Sequence, residues 1–353
     1  MTDRRINISQ ILLNVVVPVV LSLVLTAVML VALGNNPLEV FETLWEGAFR
    51  NSRTISAVVN FWIPLTLVSA GLIITFTVGL WNIGIEGQMV MGAVFASWGA
   101  QFLDLPTVLL IPINLILAMS GGMLWALLAG VLKTRLGVHE IFGGVALNAI
   151  ANNIAIYLIA GPWQPPEGGS AQSTPPFPEA AHLPVFSSDF SVNILMVGLA
   201  IASLVAVYVV LQHTRWGLIL RATGNNAKSA LLLGIPTERV SLLAFAMCGI
   251  LAGLAGSHRV LHTYHALRPL VSGGICVLGL LLVLLVGYRV VWIPLVAFIT
   301  AAMFAGSSRL KITLRLDQSL VGVLQGILVL MILFFNGIRD RWFKPQQESA
   351  NDE

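Results

Sequence analysis

The chain has 353 residues, 57% of them hydrophobic and only 10% charged, with a net charge of +3 and a mean hydropathy of +0.89. A soluble domain carries about 25% charged residues, so the composition excludes one and points to a bilayer. The positive balance contains no basic tract with interleaved aromatics, which argues against nucleic acid as a partner and fits basic cytoplasmic loops instead.

Taken in chain order, Arg4 and Arg5 precede an apolar run, 11–33. It exceeds the ~7–15 residues of a signal-peptide core and has no clear cleavage site, so it reads as a retained first span. Further apolar runs follow at 57–80, 86–103, 107–131, 141–160, 191–212, 240–258, 273–288, 291–308 and 318–336, ten candidates in all. A span needs ~20 apolar residues, and lipid forces its backbone polar groups to pair within the segment, so these runs are expected to be helices. The 273–288 run is short and starts with glycines, and reads as a half-span. The expected fold is all-α and polytopic: one transmembrane domain over 1–353, about ten transmembrane helices, both termini cytoplasmic, and an inverted repeat as a candidate organisation.

Lys and Arg positions test the orientation. With both ends inside, twelve lie inside (Arg4, Arg5, Lys133, Arg135, Arg215, Arg221, Lys228, Arg239, Arg289, Arg339, Arg341 and Lys344) and seven outside (Arg50, Arg53, Arg259, Arg268, Arg309, Lys311 and Arg315), accounting for all 19. The segment Ser307–Asp317 is an awkward outer loop on this count.

Two connections stand out. Residues 161–190 hold seven of the 16 prolines and no Lys or Arg, which argues against helix and for the outer face. The stretch is either a plain connection or part of a docking surface for an external partner. Residues 213–239 carry four basic residues and belong inside. Within them Asn225–Leu233 reads as a short helix, capped by Asn225 or Asn226 and closed by Gly234 before Pro236. The readings are a coupling element or an ordinary loop helix.

Polar residues at membrane depth are the candidate functional groups. Asn82, Glu86 and Gln88 are threaded with Gly79, Gly84 and Gly87 between two apolar runs. The glycines permit a non-helical break, and a helix starting near Ile85 has Glu86 in its first turn, where the dipole favours a carboxylate. These side chains either lock the helix end or contact a cargo. Glu140, Gly144, Asn148 and Asn152 recur every four residues and form one helix-face row, which must face protein or a water-filled path, as interhelical glue or path lining. Gly249, Gly253 and Gly256 form a small-residue stripe for helix packing. Cys248 and Cys276 read as small buried hydrophobes. His258, His262 and His265 fall in one outer loop and read as surface residues rather than a metal site.

A membrane enzyme needs clustered titratable groups, which the spans lack. An ion-coupled transporter buries ionisable residues in its spans, and here Glu86 is the chief one. No G-x-x-x-x-G-K-S/T motif is present to cradle ATP phosphates. A subunit driven by a separate ATPase fits both absences. The alternatives are an ion-coupled secondary transporter of a small polar solute and a channel.

Four motifs, in order, carry a resemblance: "NIGIEGQMVMGA" (Asn82–Ala93), "GVHEIFGGVALNAIA" with Glu140 and Asn148, "RATGNNAKSALLLGI" (Arg221–Ile235), and "AFAMCGILAGLAG" (Ala244–Gly256). Together they resemble permeases of ATP-binding-cassette (ABC) importers, in the branch for nucleosides and simple sugars, related to branched-chain amino acid and ribose permeases. The resemblance implies a bacterial or archaeal inner-membrane protein working by alternating access. It implies three partners: a cytoplasmic ABC ATPase, a second permease subunit (homologous or identical), and an extracytoplasmic binding lipoprotein. No cofactor is expected on this chain, because ATP belongs to the partner. The path residues implied are Asn82, Glu86, Gln88, Asn148 and Asn152. The ATPase-coupling residues implied are Arg221, Gly224, Asn225, Ala227, Ala230 and Gly234. The segment Ser272–Arg289 departs from the family pattern, with Leu and Val where relatives have small residues.

Overall fold

The computed structural model describes residues 17–165, 172–187 and 189–315, with residues 320, 322, 323, 326, 327, 330, 331 and 334. Arg4, Arg5, Arg339, Arg341, Lys344, both termini, the start of run 11–33, much of run 318–336 and part of loop 161–190 lie outside the described residues. The described residues contain α-helices joined by turns and no strand. In chain order they are α1 (Val17–Ala32), α2 (Pro37–Phe49), α3 (Ser52–Thr77), α4 (Ile85–Phe102), α5 (Thr107–Thr134), α6 (Glu140–Ala160), α7 (Ile194–His213), α8 (Arg215–Asn225), α9 (Ala227–Leu232), α10 (Thr237–His258), α11 (Ile275–Leu285) and α12 (Ile293–Thr313). Among the described residues, six helical segments are long and apolar enough to cross a membrane, or seven if the bent pair α1–α2 is one span.

The described residues form two compact units, one from Val59–Phe298 and one from the described residues on either side. In the flanking unit α2 follows α1 at a 108° bend. The sequence reading missed α2, although its start is well marked: the Asn36 side chain accepts from the Leu38 N–H and Pro37 opens the helix. Leu30, Val40, Leu44 and Leu310 form its core. A Cβ on Gly306 would stand 2.3 Å from the Leu44 carbonyl oxygen, so the helices touch backbone to backbone, and Arg309 pairs with Glu46 at 2.8 Å. Ser307–Asp317 is therefore not an outer loop at its start: α12 runs through Thr313, because Arg309 finds a carboxylate and need not leave the helix.

In the larger unit α4, α5 and α10 form the centre. Their contact is built on glycines. A Cβ on Gly253 would lie 2.1 Å from the Ala118 oxygen, one on Gly122 2.2 Å from the Gly249 oxygen, and one on Gly256 2.2 Å from the Met89 oxygen. Three backbones close at this distance gain van der Waals contact that larger side chains would prevent. Cys248 and Cys276 are free and buried. Helix α11 has eleven residues and rises only about 16 Å, half of a ~30 Å hydrocarbon core.

His258 and His262 are not surface residues: they are 0% and 6% exposed. Helix α10 does not end in an outer loop but continues as a π-turn, Arg259–Tyr264, which keeps both rings, 5.0 Å apart, turned inward. His265 follows with φ +52° and stacks on His182 at 3.9 Å. Among the described residues, no group of three or more His, Cys, Asp or Glu is placed to hold a metal.

Candidate functional site: a broken helix beside a half-span

The segment between α3 and α4 is a break fastened on every side. Gly79, at φ +78°, ends α3, and the Leu80 N–H returns to the Thr75 oxygen at 3.0 Å. The amides of Asn82 and Gln88 pair reciprocally: Asn82 Nδ2 donates to Gln88 Oε1 at 3.1 Å and Gln88 Nε2 to Asn82 Oδ1 at 2.9 Å. Asn82 Nδ2 also reaches the Cys248 sulfur at 3.1 Å. Both amides are buried, at 2% and 0% exposure.

The row on α6 faces this break. Gly144 packs against Gly84, where a Cβ would meet the Gly84 nitrogen at 2.6 Å. One turn on, Asn148 Oδ1 accepts the Gly87 N–H at 2.7 Å, and its Nδ2 donates to the Ile83 oxygen at 2.9 Å. Asn148 thus supplies both halves of a backbone pairing that the broken helix cannot make for itself. Another turn on, Asn152 Nδ2 donates to the Asn148 oxygen at 3.1 Å and makes a long 3.5 Å approach to Glu86 Oε1. At the start of the row Glu140 pairs with Lys133 of α5 at 2.5 Å.

Glu86, in the first turn of α4, has a different environment. It is half-buried, and its Oε1 accepts from the Ser272 hydroxyl at 3.0 Å. Ser272 precedes α11, and the sequence reading did not single it out. Asn152 Oδ1 is enclosed and, among the described residues, has no hydrogen-bond partner. The five sequence-predicted path residues therefore divide. Asn82, Gln88 and Asn148 spend their hydrogen bonds on the break, whereas Glu86 meets the Ser272 hydroxyl and Asn152 approaches Glu86 from α6. A half-buried carboxylate held in this arrangement can accept from a neutral polar solute.

The coupling candidates divide likewise. Segment 213–239 contains α8 as well as the expected short helix. Thr214 Oγ1 caps α8 at the Gly217 N–H, and Asn226 Oδ1 caps α9 at the Ser229 N–H, 3.0 Å away. Asn225 itself ends α8. Arg221 Nη2 donates to the Leu211 oxygen at 2.7 Å, and a Cβ on Gly224 would fall 2.0 Å from the Thr77 oxygen. These two fasten the segment to the chain, and Ala230, 1% exposed, is buried with them. Asn225 and Ala227 are exposed. Gly234 takes φ +83°, as a closing glycine must. The sequence reading missed Leu231, Leu232 and Leu233, which stand out at 60%, 89% and 80% exposure.

A family model described as branched-chain amino acid transport system / permease component matches residues 54–336. The chain is 27% identical to a glucose ABC transporter permease protein of Haloferax volcanii, over 90% of this chain and 86% of the relative. It is 26% identical to a guanosine ABC transporter permease protein of Bacillus subtilis, over 96% and 98%. It is 29% identical to a nucleoside ABC transporter permease protein of Lactococcus lactis, over 68% of each. No solved structure matches the chain. These matches do not favour the ion-coupled alternative. With its apolar spans and its broken helix, the chain belongs to the branched-chain amino acid transport system / permease component family, as a multi-pass membrane permease subunit of an ABC transporter and not an enzyme.

Proposed function

We propose that the chain forms the translocation path of an importer for a nucleoside or a simple sugar. The observation that carries this reading is the half-buried Glu86 carboxylate at the start of a helix broken within the membrane, met by the buried Ser272 hydroxyl and approached by the Asn152 amide. Irregular polar backbone at that depth is stable only against protein or water. The cargo class is supported by relatives named for guanosine, nucleosides and glucose. In this reading the chain sits in a bacterial or archaeal inner membrane with ten spans and both termini in the cytoplasm. It pairs with a second permease, two copies of a cytoplasmic ATPase and an extracytoplasmic binding protein.

The exposed leucines of α9 support the coupling assignment. Leu232 and Leu233 sit in a basic segment that reads as cytoplasmic, and a hydrophobic groove on the ATPase would cover them. ATP-driven closure of the ATPase pair then pushes α8–α9, and Gly224 transmits the push to the end of α3. The test is uptake of labelled guanosine and labelled glucose into proteoliposomes holding the assembled complex. Uptake is expected only with ATP and all partners, and Leu232→Asp is expected to cut it at least tenfold. Uptake by the chain alone on an ion gradient, or ATP hydrolysis by the purified chain, overturns the proposal.

A further inference from the structure

We propose that Arg259 is a positioning residue for cargo binding, holding Ser272 against Glu86 from outside the site. This rests on the reading above, in which the Glu86 carboxylate faces the cargo. Arg259 opens the π-turn after α10 and is 8% exposed. Among the described residues no carboxylate lies within ion-pair distance of it. Burying a guanidinium without a counterion is costly, so the contacts it does make have to hold it. Its Nε donates to the Val271 oxygen at 3.2 Å, and its Nη2 donates to the Tyr264 hydroxyl. The guanidinium also lies over the Tyr264 ring, 4.5 Å from the centroid, with Arg268 at 5.0 Å from the same ring.

Residues 270–274 have no helix or strand ladder to set their path. Leu270, Gly273 and Gly274 take φ of +52°, +56° and +81°. Leu270 is a residue type for which that conformation is strained. One turn bond, Gly273 N–H to the Leu270 oxygen at 2.9 Å, is internal to the segment, and the Ile275 N–H at the start of α11 donates to the Ser272 oxygen at 3.1 Å. The α11 bond holds the Ser272 carbonyl on its C-terminal side, and the bond from Arg259 fixes the N-terminal side, landing one residue before Ser272. Gly273 lies close under the guanidinium: a Cβ there would be 3.0 Å from Nη2. The link therefore runs from Arg259 through Val271 to Ser272, which is 2% exposed, and on to Glu86 Oε1. Losing the outer end of this link lets Ser272 leave the carboxylate while the fold on either side stands.

The test is a double-mutant cycle on equilibrium binding of labelled guanosine and labelled glucose to the purified assembled complex without its binding protein. Arg259→Lys keeps the charge but loses the Nε bond, and Ser272→Ala removes the hydroxyl. Each is expected to weaken Kd about tenfold, the scale of one hydrogen bond to a charged acceptor. The double variant is expected to be no weaker than about tenfold, because both changes cut one link. Arg259→Gln, which also loses the Nε bond, should reproduce the effect and serves if Arg259→Lys does not assemble. A role confined to stability lowers the amount of binding-competent complex and leaves Kd alone. An unchanged Kd in Arg259→Lys and Arg259→Gln, or single effects that multiply to about a hundredfold, overturns the positioning role. Binding of neither probe, or binding that Glu86→Gln leaves unchanged, overturns the cargo-facing reading instead.

Discussion

At the residue scale, the polar groups around the break do two kinds of work, and the hydrogen-bond partners separate them. Asn82 and Gln88 satisfy each other in a buried site, so each depends on the other. Gln88→Leu leaves the Asn82 amide buried and half unpaired, a cost of about 1–3 kcal/mol. Replacing both by leucine removes the need along with the bond. The midpoint of thermal unfolding in detergent is expected to fall in Gln88→Leu and to recover in part in the double variant. A single variant as stable as the parent would show that the pair does not lock the break. Glu86 and Asn148 looked alike in the sequence, since each is a polar residue on an apolar helix. They differ because Asn148 meets two backbone groups 61 and 65 residues away, while Glu86 meets a hydroxyl 186 residues away. Periodicity within a helix carries no information about such partners.

At the element scale, the helices were legible where composition alone makes them. The expected runs 107–131 and 141–160 correspond to α5 and α6, because lipid leaves an apolar chain no other way to satisfy its backbone. The row Glu140, Gly144, Asn148 and Asn152 was legible as one face, and the structure turns that face to the break. The π-turn at Arg259–Tyr264 was not legible. Charge and histidine content suggested a wet loop, whereas the tertiary surroundings bury the segment by stacking Arg259 on Tyr264 and pairing the rings. Glycines also differ by element. Gly253→Ala forces a methyl into the Ala118 backbone, an overpacking cost of about 1–3 kcal/mol or more. Gly198 on α7 has nothing within 4 Å of a Cβ, so Gly198→Ala gains helix propensity worth up to ~1 kcal/mol. Thermal stability and membrane yield should fall for the first and hold or rise for the second. Equal behaviour of the two would remove close packing as the reason for the stripe.

At the scale of the whole molecule, the Pro-rich connection is tied to the segment that follows α10. Thr174 N–H donates to the Leu267 oxygen at 3.0 Å, Phe177 N–H to the His265 oxygen at 2.8 Å, and Leu183 N–H to the Leu261 oxygen at 3.1 Å. Thr174 Oγ1 accepts the Leu267 N–H at 3.1 Å. Burial holds the His265 imidazole below its usual value, and the charge of His182 adds to this against an opposing bond at the Leu261 backbone. The sign follows from linkage. The docked imidazole resists a proton that the undocked one accepts below ~6.5, so docking is unpenalised above that value and weakens as the pH falls through it. Spin labels at Glu179 and Arg268, with both native cysteines buried, should give a distance distribution that broadens between about pH 7.5 and 5.5. His265→Asn, which tolerates the positive φ, should abolish the broadening, and a parent distribution independent of pH would remove the histidines from the tie.

The sequence by itself determined the helical membrane class, the glycine-permitted break near Asn82 and the small-residue stripe on α10. Each is set by neighbours along the chain and by the demand of lipid that the backbone pair locally. Only the tertiary structure decided that His258 and Arg259 are buried and that Asn148 serves backbone while Glu86 meets Ser272. It also decided that α12 runs on through Ser307 and Arg309. These depend on groups that meet across tens to hundreds of residues, where the burial of a charge or an amide is decided by which partner arrives.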